Sequence, residues 1–323
     1  MVTIADVEAA RLVVDRHLRR SPLEHSPWLS RSLGCEIHLK LENTRPTRSF
    51  KVRGALNRIA ALDADGRRRG VVAASGGNHA QGVAYAAYVL GTSATVVMPE
   101  AVAPAIAEVC RAYGARVLLR GQIYDDTLAL AHDIERDEGR TFVHPYEDPL
   151  VIAGQGTIGL EILEDLPDVE TVLVPAGGGG LLCGIALAVK ERAGGAVRVI
   201  GVEPEGADNV ARSVAAGAPV SLEAPRSIAE RLVARSTGRL NVELARRYVD
   251  GFVTVSDDAI ARAVYEHFDR LSLLVEPSGA ATLAALRSGA VAARGRMVLL
   301  VSGGNVPAPA LARILSEDQV PER

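Results

Sequence analysis

Residues 171–189 read TVLVPAGGGGLLCGIALAV, and this run predicts the fold class of the chain. It starts with a short β-branched segment at 171–175, passes through four consecutive glycines and continues as an apolar segment at 181–189 that is typical of a helix. A strand, a glycine turn and a helix N-terminus in this order bind phosphate, because bare backbone N–H groups point at the ligand. The run therefore predicts an α/β unit with a phosphate site.

Four other interpretations of this run fit less well. A dinucleotide-binding GxGxxG motif would need its third glycine at Leu182 or Cys183, and a P-loop would need a Gly-Lys-Ser/Thr ending. Pro175 and the glycines interrupt an otherwise uncharged stretch of nearly bilayer length, which disfavours a membrane span. A flexible turn is the commonest role of consecutive glycines, but the flanking strand and helix patterns favour a ligand loop.

Short β-branched runs alternate with helical runs along the rest of the chain. The first helix is predicted from Thr3, and the alternating pattern at 36–41 predicts a half-buried strand. Further strands are predicted at 71–74, 94–98, 115–119, 171–175, 197–202, 252–255 and 297–301, with helices at 79–89, 104–113, 124–136 and 181–189. This alternation predicts βαβ units and mostly parallel sheets with helices on both faces.

Three polar or glycine-rich strings come directly after predicted strands. They begin at Ser75, Gly177 and Ser302, and ligands in open α/β sheets gather outside the carboxyl ends of strands. A fourth string, SFKVRGA at 49–55, carries Lys51. A buried lysine amine loses its proton readily and can form a Schiff base with a carbonyl. An isolated lysine is usually a surface charge, but together these strings predict a pyridoxal phosphate site.

Composition excludes several functional classes. The 323 residues are 48% hydrophobic with a net charge of −3, which suits one large or two moderate globular units and gives no basic patch for nucleic acid or membranes. Neither HExxH nor CxxC occurs, and three widely spaced cysteines suggest a reducing compartment. The charged N-terminus does not resemble a signal peptide. We therefore expect a cytoplasmic protein with a small-molecule substrate.

The chain resembles the serine/threonine dehydratase branch of the fold type II (tryptophan synthase β-like) pyridoxal phosphate enzymes over nearly its whole length. The strings that carry this resemblance are LKLE at 39–42, SFKVRGA at 49–55, SGGNHAQG at 75–82, GGGGL at 177–181, VEP at 202–204, VEPSGA at 275–280 and SGGN at 302–305. The resemblance implies an α/β fold with two domains of mostly parallel twisted sheets covered by helices. We expect residues 1–70 and 148–323 to form the large cofactor-binding domain and 71–147 the small domain.

The resemblance also implies residue roles. Lys51, next to Phe50, is expected to form the Schiff base and to move the α-proton, and Asn78 to bond the pyridoxal 3′-oxygen. Ser302 is expected to face the pyridine nitrogen. The phosphate loop comprises Gly177, Gly178, Gly179, Gly180 and Leu181, and the substrate carboxylate is expected at Ser75, Gly76 and His79. Without the other strings, Ser75 would be interpreted as a helix cap, His79 as a core residue and Ser302 as a turn residue.

The activity that the resemblance implies is β-elimination from L-threonine or L-serine, which gives a 2-oxo acid and ammonia, with the cofactor as electron sink. The alternatives are a dehydratase of another β-hydroxy amino acid, such as 3-hydroxyaspartate or a hydroxyectoine-derived compound, a serine racemase, and a catalytically silent cofactor-binding protein. Relatives are often dimers or tetramers, so a homo-oligomer is expected.

The chain departs from the family pattern at several positions. Arg48 replaces a usual glycine, Ala229-Glu230-Arg231 replaces Ala-Asp-Gly, and Gly76 stands where serine racemases carry a serine. Arg48 would suit an acidic substrate, although a surface role is equally consistent. Metal-dependent members have three ligands at the positions of Glu203, Ala207 and Asn209, and the neutral Asn209 in place of an aspartate makes these weak metal candidates. The chain stops at Arg323, so no regulatory domain is expected.

Overall fold

The computed structural model describes residues 2–316. Its strands are β1 Leu23–His25, β2 Glu36–Leu41, β3 Val71–Ala74, β4 Ala94–Met98, β5 Arg116–Leu119, β6 Thr141–Phe142, β7 Thr171–Pro175, β8 Arg198–Pro204, β9 Gly251–Val255 and β10 Arg296–Val301. Its helices are α1 Ile4–His17, α2 Pro27–Leu33, α3 Lys51–Ala60, α4 Ala64–Arg69, α5 Asn78–Leu90, α6 Pro104–Ala112, α7 Tyr124–Glu138, α8 Pro149–Asp165, α9 Gly180–Ala193, α10 Asn209–Ala216, α11 Arg239–Tyr248, α12 Asp257–Leu271, α13 Pro277–Arg287 and α14 Ala308–Ile314. Two short 3₁₀ turns span Glu42–Thr44 and Glu230–Leu232.

The strands form two sheets. The larger sheet has the order β1-β2-β10-β7-β8-β9, in which only the edge pair of β1 and β2 is antiparallel. The smaller sheet has the order β5-β4-β3-β6 and is parallel throughout. This mostly parallel α/β architecture confirms the predicted fold class. Among residues 2–316, no helix is both long and apolar enough to cross a bilayer.

Sequence periodicity predicted the buried strands well. Strands β2, β3, β4 and β7 match the predicted ranges at both ends, because their apolar residues are uninterrupted or alternate cleanly. The first helix begins one residue after its predicted start, and Thr3 caps it with its side chain. The sequence pattern did not predict β1, which has three residues and a mixed burial pattern.

Helices α8 and α9 pack closely in the core beside the larger sheet. A Cβ atom added to Gly184 would lie 2.4 Å from the Ile152 carbonyl oxygen, and one added to Gly159 would lie 2.9 Å from the Ile185 carbonyl oxygen. Only glycine permits this separation, since any side chain would push the two backbones apart. The packing fixes the N-terminus of α9 relative to the strands.

The hydrophobic core is not split into one separate part for each sheet. Val52 and Leu56 of α3 belong to the same buried hydrophobic cluster as Val71 and Val96 of the smaller sheet. Helix α3 therefore shares a core with the smaller sheet although it precedes that sheet in the chain, and it packs against α5, which lies on β3 and β4. The predicted domain limits at 70/71 and 147/148 stay a prediction, and residues 1 and 317–323 lie outside the described part of the chain.

Candidate active site

A cavity of about 720 Å³ lies where β3, β7 and β10 end. Strings from distant parts of the sequence meet on its walls. Strands β7 and β10 end at the same edge of the larger sheet, and β3 of the smaller sheet ends at the same cavity. The predicted site residues that line it are Phe50, Lys51, Ser75, Gly76, Asn78, His79, Gly177, Gly178, Gly179, Gly180, Leu181 and Ser302. The structure thus brings the predicted catalytic, cofactor and substrate residues together in one place.

Lys51 opens helix α3 and projects its amine into this cavity. Its Nζ atom donates a 2.6 Å hydrogen bond to the Pro145 carbonyl oxygen and lies 5.2 Å from the centre of the Phe50 ring. Burial lowers the pKa of Lys51 to about 8. About a tenth of the amine is therefore uncharged at pH 7, far more than for an exposed lysine, and the uncharged form is the nucleophile.

The chain contains two other lysines, and both are engaged in ion pairs. Lys40 is fully buried with its Nζ atom 2.8 Å from Glu161, and the Nζ atom of Lys190 lies 2.7 Å from Asp250. Lys51 has no carboxylate partner among residues 2–316. Of the three lysines, Lys51 alone presents an unpaired amine to the cavity.

Backbone contacts with the end of β10 fix the segment before Lys51. Ser49 and Gly303 form an isolated antiparallel bridge, and the N–H group of Phe50 donates to the Ser302 carbonyl oxygen at 3.2 Å. Arg48 adopts a left-handed backbone with a φ of 53°, which explains why a glycine suits this position. Its side chain is exposed and does not line the cavity, so the structure favours a surface role for Arg48.

A buried ion network anchors α3 close to the Lys51 backbone. The Arg53 guanidinium donates to Glu42 and to Glu161, with distances of 2.8 Å to each. Burial alone would raise the pKa of Glu42, but the charges of Arg53 and Arg45 outweigh it and hold that pKa far below its usual value. The network remains ionised and fixes the helix that carries Lys51.

The first two carbonyl groups of the glycine loop (Gly177, Gly178, Gly179 and Gly180) accept hydrogen bonds from side chains. Thr237 and Asn241 donate to the Gly178 oxygen at 2.9 and 2.7 Å, and Asn209 donates to the Gly177 oxygen at 2.9 Å. Gly179 has a φ of 92°, which requires glycine.

Backbone N–H groups at 178–182 have no acceptor within residues 2–316, and they lie at the N-terminus of α9. An anion fits this arrangement, because N–H donors and the helix dipole act together. The loop therefore fits the phosphate of pyridoxal phosphate. Sequence reasoning missed Thr237 and Asn241, since they come from a segment without a recognisable motif.

Two side chains fix Asn78 at the first position of α5. Its Nδ2 donates to Glu276 at 2.6 Å, and its Oδ1 accepts from Asn305 at 2.8 Å. Burial raises the pKa of Glu276 to about 7. Asn78 keeps one amide hydrogen for a ligand, as expected of a group that bonds the cofactor ring oxygen.

The Ser75 loop (Ser75, Gly76 and Gly77) connects β3 to α5. The Ser75 hydroxyl accepts from the Gly77 N–H at 3.2 Å, and Gly77 rather than Ser75 occupies the cap position of α5. His79 is buried, and its Nε2 hydrogen bonds to the Val143 carbonyl oxygen at 2.7 Å. Burial lowers the pKa of His79 to about 3, so the ring is neutral. The roles of Ser75, Gly76 and His79 toward a substrate stay predictions.

Arg231 is a cavity residue to which sequence analysis assigned no location. Its guanidinium lies against the Ser75 loop, where a Cβ atom on Gly77 would be 2.7 Å from Cζ of Arg231. The departure from the family pattern at 229–231 was the only feature of the sequence that drew attention to this residue. Its backbone N–H donates to the Ser278 hydroxyl at 3.0 Å, which fixes the start of the side chain.

The weak metal candidates make contacts within the protein. Both carboxylate oxygens of Glu203 accept backbone N–H groups, from Val210 at 2.9 Å and Ala211 at 2.8 Å. Burial raises the pKa of Glu203 to about 8. Asn209 supports the glycine loop, and Ala207 is buried. No group of three or more His, Cys, Asp or Glu side chains suited to a metal occurs in residues 2–316.

Comparison with known proteins gives a consistent result. The sequence pattern of the family "Pyridoxal-phosphate dependent enzyme" matches residues 14–303. An L-threonine ammonia-lyase from Thermotoga maritima is 41% identical over 320 residues, which cover 99% of this chain and 80% of the relative. An L-threonine dehydratase catabolic TdcB from Staphylococcus aureus is 40% identical over 95% of this chain and 90% of the relative.

Solved structures agree with these relatives. A threonine deaminase from T.th. superposes with a TM-score of 0.88 at 42% identity and covers 94% of this chain and 99% of its own. Maize serine racemase superposes with a TM-score of 0.90 at 33% identity and covers 97% of this chain and 96% of its own. Together with the lysine, the glycine loop and the Asn78 contacts described above, these matches confirm the resemblance drawn from the sequence strings. The chain belongs to the family of pyridoxal-phosphate dependent enzymes.

Proposed function

We propose that this protein is a pyridoxal phosphate-dependent ammonia-lyase that removes water and ammonia from L-threonine or L-serine and releases 2-oxobutanoate or pyruvate. The observation that carries the proposal is the convergence of an unpaired Lys51 amine, the glycine loop and Asn78 on one cavity. Relatives named for threonine ammonia-lyase activity cover nearly the whole chain at about 41% identity, which supports the same reaction class.

The cofactor, when bound, supplies an aldehyde for a covalent link to an amine and an electron sink for a carbanion. Lys51 is placed to form that link and then, as a free amine of lowered pKa, to remove the α-proton of a substrate. The centre of the Phe50 ring lies 5.2 Å from the Lys51 amine. The glycine loop and Leu181 would hold the phosphate at the N-terminus of α9.

Ser302 and the Ser75 loop would orient the other groups. Ser302 is buried at the end of β10, and a neutral serine facing a pyridine nitrogen cannot keep it protonated by charge. This favours prompt elimination over a long-lived carbanion. The free N–H groups at the start of α5 would donate to the substrate carboxylate beside Ser75 and Gly76.

A screen of β-hydroxy amino acids for 2-oxo acid release tests the proposal. We expect the holoenzyme to release 2-oxobutanoate from L-threonine, and Lys51→Ala to release none. No product from any β-hydroxy amino acid, together with no change in cofactor absorbance on adding L-threonine, would instead indicate a silent cofactor-binding protein. We further propose a cytoplasmic homo-oligomer, for which sedimentation of the purified protein gives the subunit number.

A further inference from the structure

The guanidinium of Arg231 lies inside the substrate end of the cavity. Its Cζ, Nη1 and Nε atoms would all be 2.7–2.8 Å from a Cβ atom on Gly77, so the planar group rests against the Ser75 loop. The side chain is 26% exposed. The same cavity contains Lys51 and Ser302, so Arg231 faces the space in which a substrate would react.

This guanidinium has no hydrogen-bond acceptor in the described part of the chain. The carboxylate that comes within 4 Å of it belongs to Glu230, at 3.9 Å, which is beyond hydrogen-bond distance. The Glu230 side chain is itself 76% exposed to solvent. A guanidinium has a rigid fork of N–H donors that matches a carboxylate, and here that fork is open to a ligand.

The cavity already has a separate set of hydrogen-bond donors for one carboxylate. Helix α5 starts at Asn78 without a side-chain cap, and its first N–H groups have no acceptor within residues 2–316. The glycine loop provides a second set of free N–H groups for the cofactor phosphate. Arg231 therefore adds a positive group beyond what an amino acid with a single carboxylate needs.

The other charges at the cavity leave Arg231 as the cation that has no hydrogen-bonded acceptor among residues 2–316. Arg235 is 3.1 Å from Asp125 and is exposed. Glu276 accepts from Asn78 and interacts with Arg231 through charge, without a hydrogen bond between them, and Glu223 also lines the wall. Lys51 is reserved for the covalent link in the proposed function. A second anionic group on a substrate would thus contact Arg231.

We propose that Arg231 is a specificity-determining residue that binds a carboxylate on the substrate side chain, so that the substrates of this site include β-hydroxy amino acids with a second carboxylate. The inference rests on the proposed function. The simplest such substrate is 3-hydroxyaspartate. It would lose its Cα proton and its Cβ hydroxyl as water, then take up water and release ammonia, to give oxaloacetate.

The test compares L-threonine, L-serine and L-threo-3-hydroxyaspartate as substrates of the holoenzyme and of Arg231→Gln. Arg235→Gln is the matched control, because it removes an equal charge from the same cavity at a paired, exposed position. We expect Arg231→Gln to lower the ratio of kcat/KM for hydroxyaspartate to kcat/KM for threonine by about 10- to 100-fold, mostly through KM, as expected for one charge-assisted contact. The control leaves this ratio within about twofold.

A binding measurement supports the kinetics without turnover. Calorimetric titration of the holoenzyme with succinate and butyrate, which have four carbons and no amine, reports the second carboxylate alone. We expect succinate to bind more tightly than butyrate in the native protein and in Arg235→Gln, and the preference to disappear in Arg231→Gln.

Two results would overturn the assignment of Arg231. One is an equal loss of activity on threonine and hydroxyaspartate in Arg231→Gln, which would place the guanidinium on the α-carboxylate. The other is a native enzyme that dehydrates threonine but neither dehydrates hydroxyaspartate nor prefers succinate. Failure to release any 2-oxo acid from any of the three substrates would contradict the proposed function instead.

Discussion

The amide of Asn78 donates a 2.6 Å hydrogen bond to the carboxylate of Glu276, which lies 198 residues further along the chain. Both residues are buried, and the bond joins the start of α5 to the start of α13. It fixes the orientation of Asn78, the side chain proposed to bond the 3′-oxygen of the cofactor ring. Glu276 is therefore a positioning residue for Asn78.

Glu276→Gln should become more stable relative to the native protein as pH rises. Burial raises the pKa of Glu276 to about 7 from 4.5, so the folded protein retains a proton that the unfolded chain releases. The stability that this proton contributes is full below about pH 4.5 and is lost as pH rises through 7. The difference in Tm between Glu276→Gln and the native protein should increase between about pH 5 and pH 8.

Glu223→Gln serves as the control for this experiment, because Glu223 is exposed beside the same cavity and its substitution should give no such trend. Glu276→Ala should destabilise the protein by about 1–3 kcal/mol, since the buried Asn78 amide loses its acceptor. A Tm difference for Glu276→Gln that is constant with pH would contradict the assigned pKa.

Borohydride reduction of the holoenzyme should attach the pyridoxyl group to Lys51. Lys40 and Lys190 are engaged in ion pairs, and only the Lys51 amine faces the cavity. Because the neutral amine reacts, attachment of cofactor to the apo-enzyme should speed up as pH rises through about 8 and level off above it. Peptide mapping that finds the label on Lys40 or Lys190 would refute the assignment. Lys51→Ala should fold and still bind the cofactor without a covalent link.

Arg53→Met should destabilise the protein by about 3–5 kcal/mol, because it leaves the buried carboxylates of Glu42 and Glu161 without their main partner. Urea denaturation followed by circular dichroism measures the change. Arg68→Met removes an exposed pair with Asp65 and should cost less than about 1 kcal/mol. Equal losses in the two variants would show that the buried network does not stabilise α3.

Divalent-metal dependence should be weak or absent. Mg²⁺ and Ca²⁺ favour several oxygen ligands with carboxylate charge among them, and at this position Glu203 is the sole anionic candidate. Its two oxygens accept backbone N–H groups, and Asn209 donates to the glycine loop. Activity on L-threonine should survive treatment with EDTA. A severe loss that Mg²⁺ alone restores would show that these residues bind a metal after all.

Dehydration of L-serine should greatly exceed its racemisation. Inversion at Cα requires a proton donor on the face opposite Lys51, and Gly76 has no side chain to donate one. A positioned acid is worth about 10²–10⁴-fold in rate, so D-serine should form much more slowly than pyruvate. Chiral analysis of the reaction mixture measures both products, and comparable rates would contradict the prediction.

Gly76→Ser is the variant expected to raise the D-serine signal. A Cβ atom at this position would lie 3.3 Å from Pro99 and 3.4 Å from Val102, so a small side chain fits after a slight adjustment. Gly76→Ala has the same steric effect without the hydroxyl and is the control. An equal D-serine signal from both variants would show that the hydroxyl does not act as the proton donor.

The sequence by itself determined the parallel α/β architecture and the strings that are proposed to bind the cofactor. Strand periodicity at β3 and β7 and the glycines that follow are local features, because hydrogen-bond spacing and backbone freedom depend on neighbouring residues. Lys51 could be proposed from the sequence as well, since its string SFKVRGA occurs together with three strings that follow predicted strands. These residues needed no distant contact to be recognised.

Only the tertiary structure decided which side chains surround those strings. The carboxylate that orients Asn78, the donors Thr237 and Asn241 behind the glycine loop, and the position of Arg231 over Gly77 depend on contacts between segments far apart in the chain. Sequence showed Arg48 and Arg231 as equal departures from the family pattern. Packing placed one on the surface and the other at the cavity wall, because the distance between segments is set by the fold.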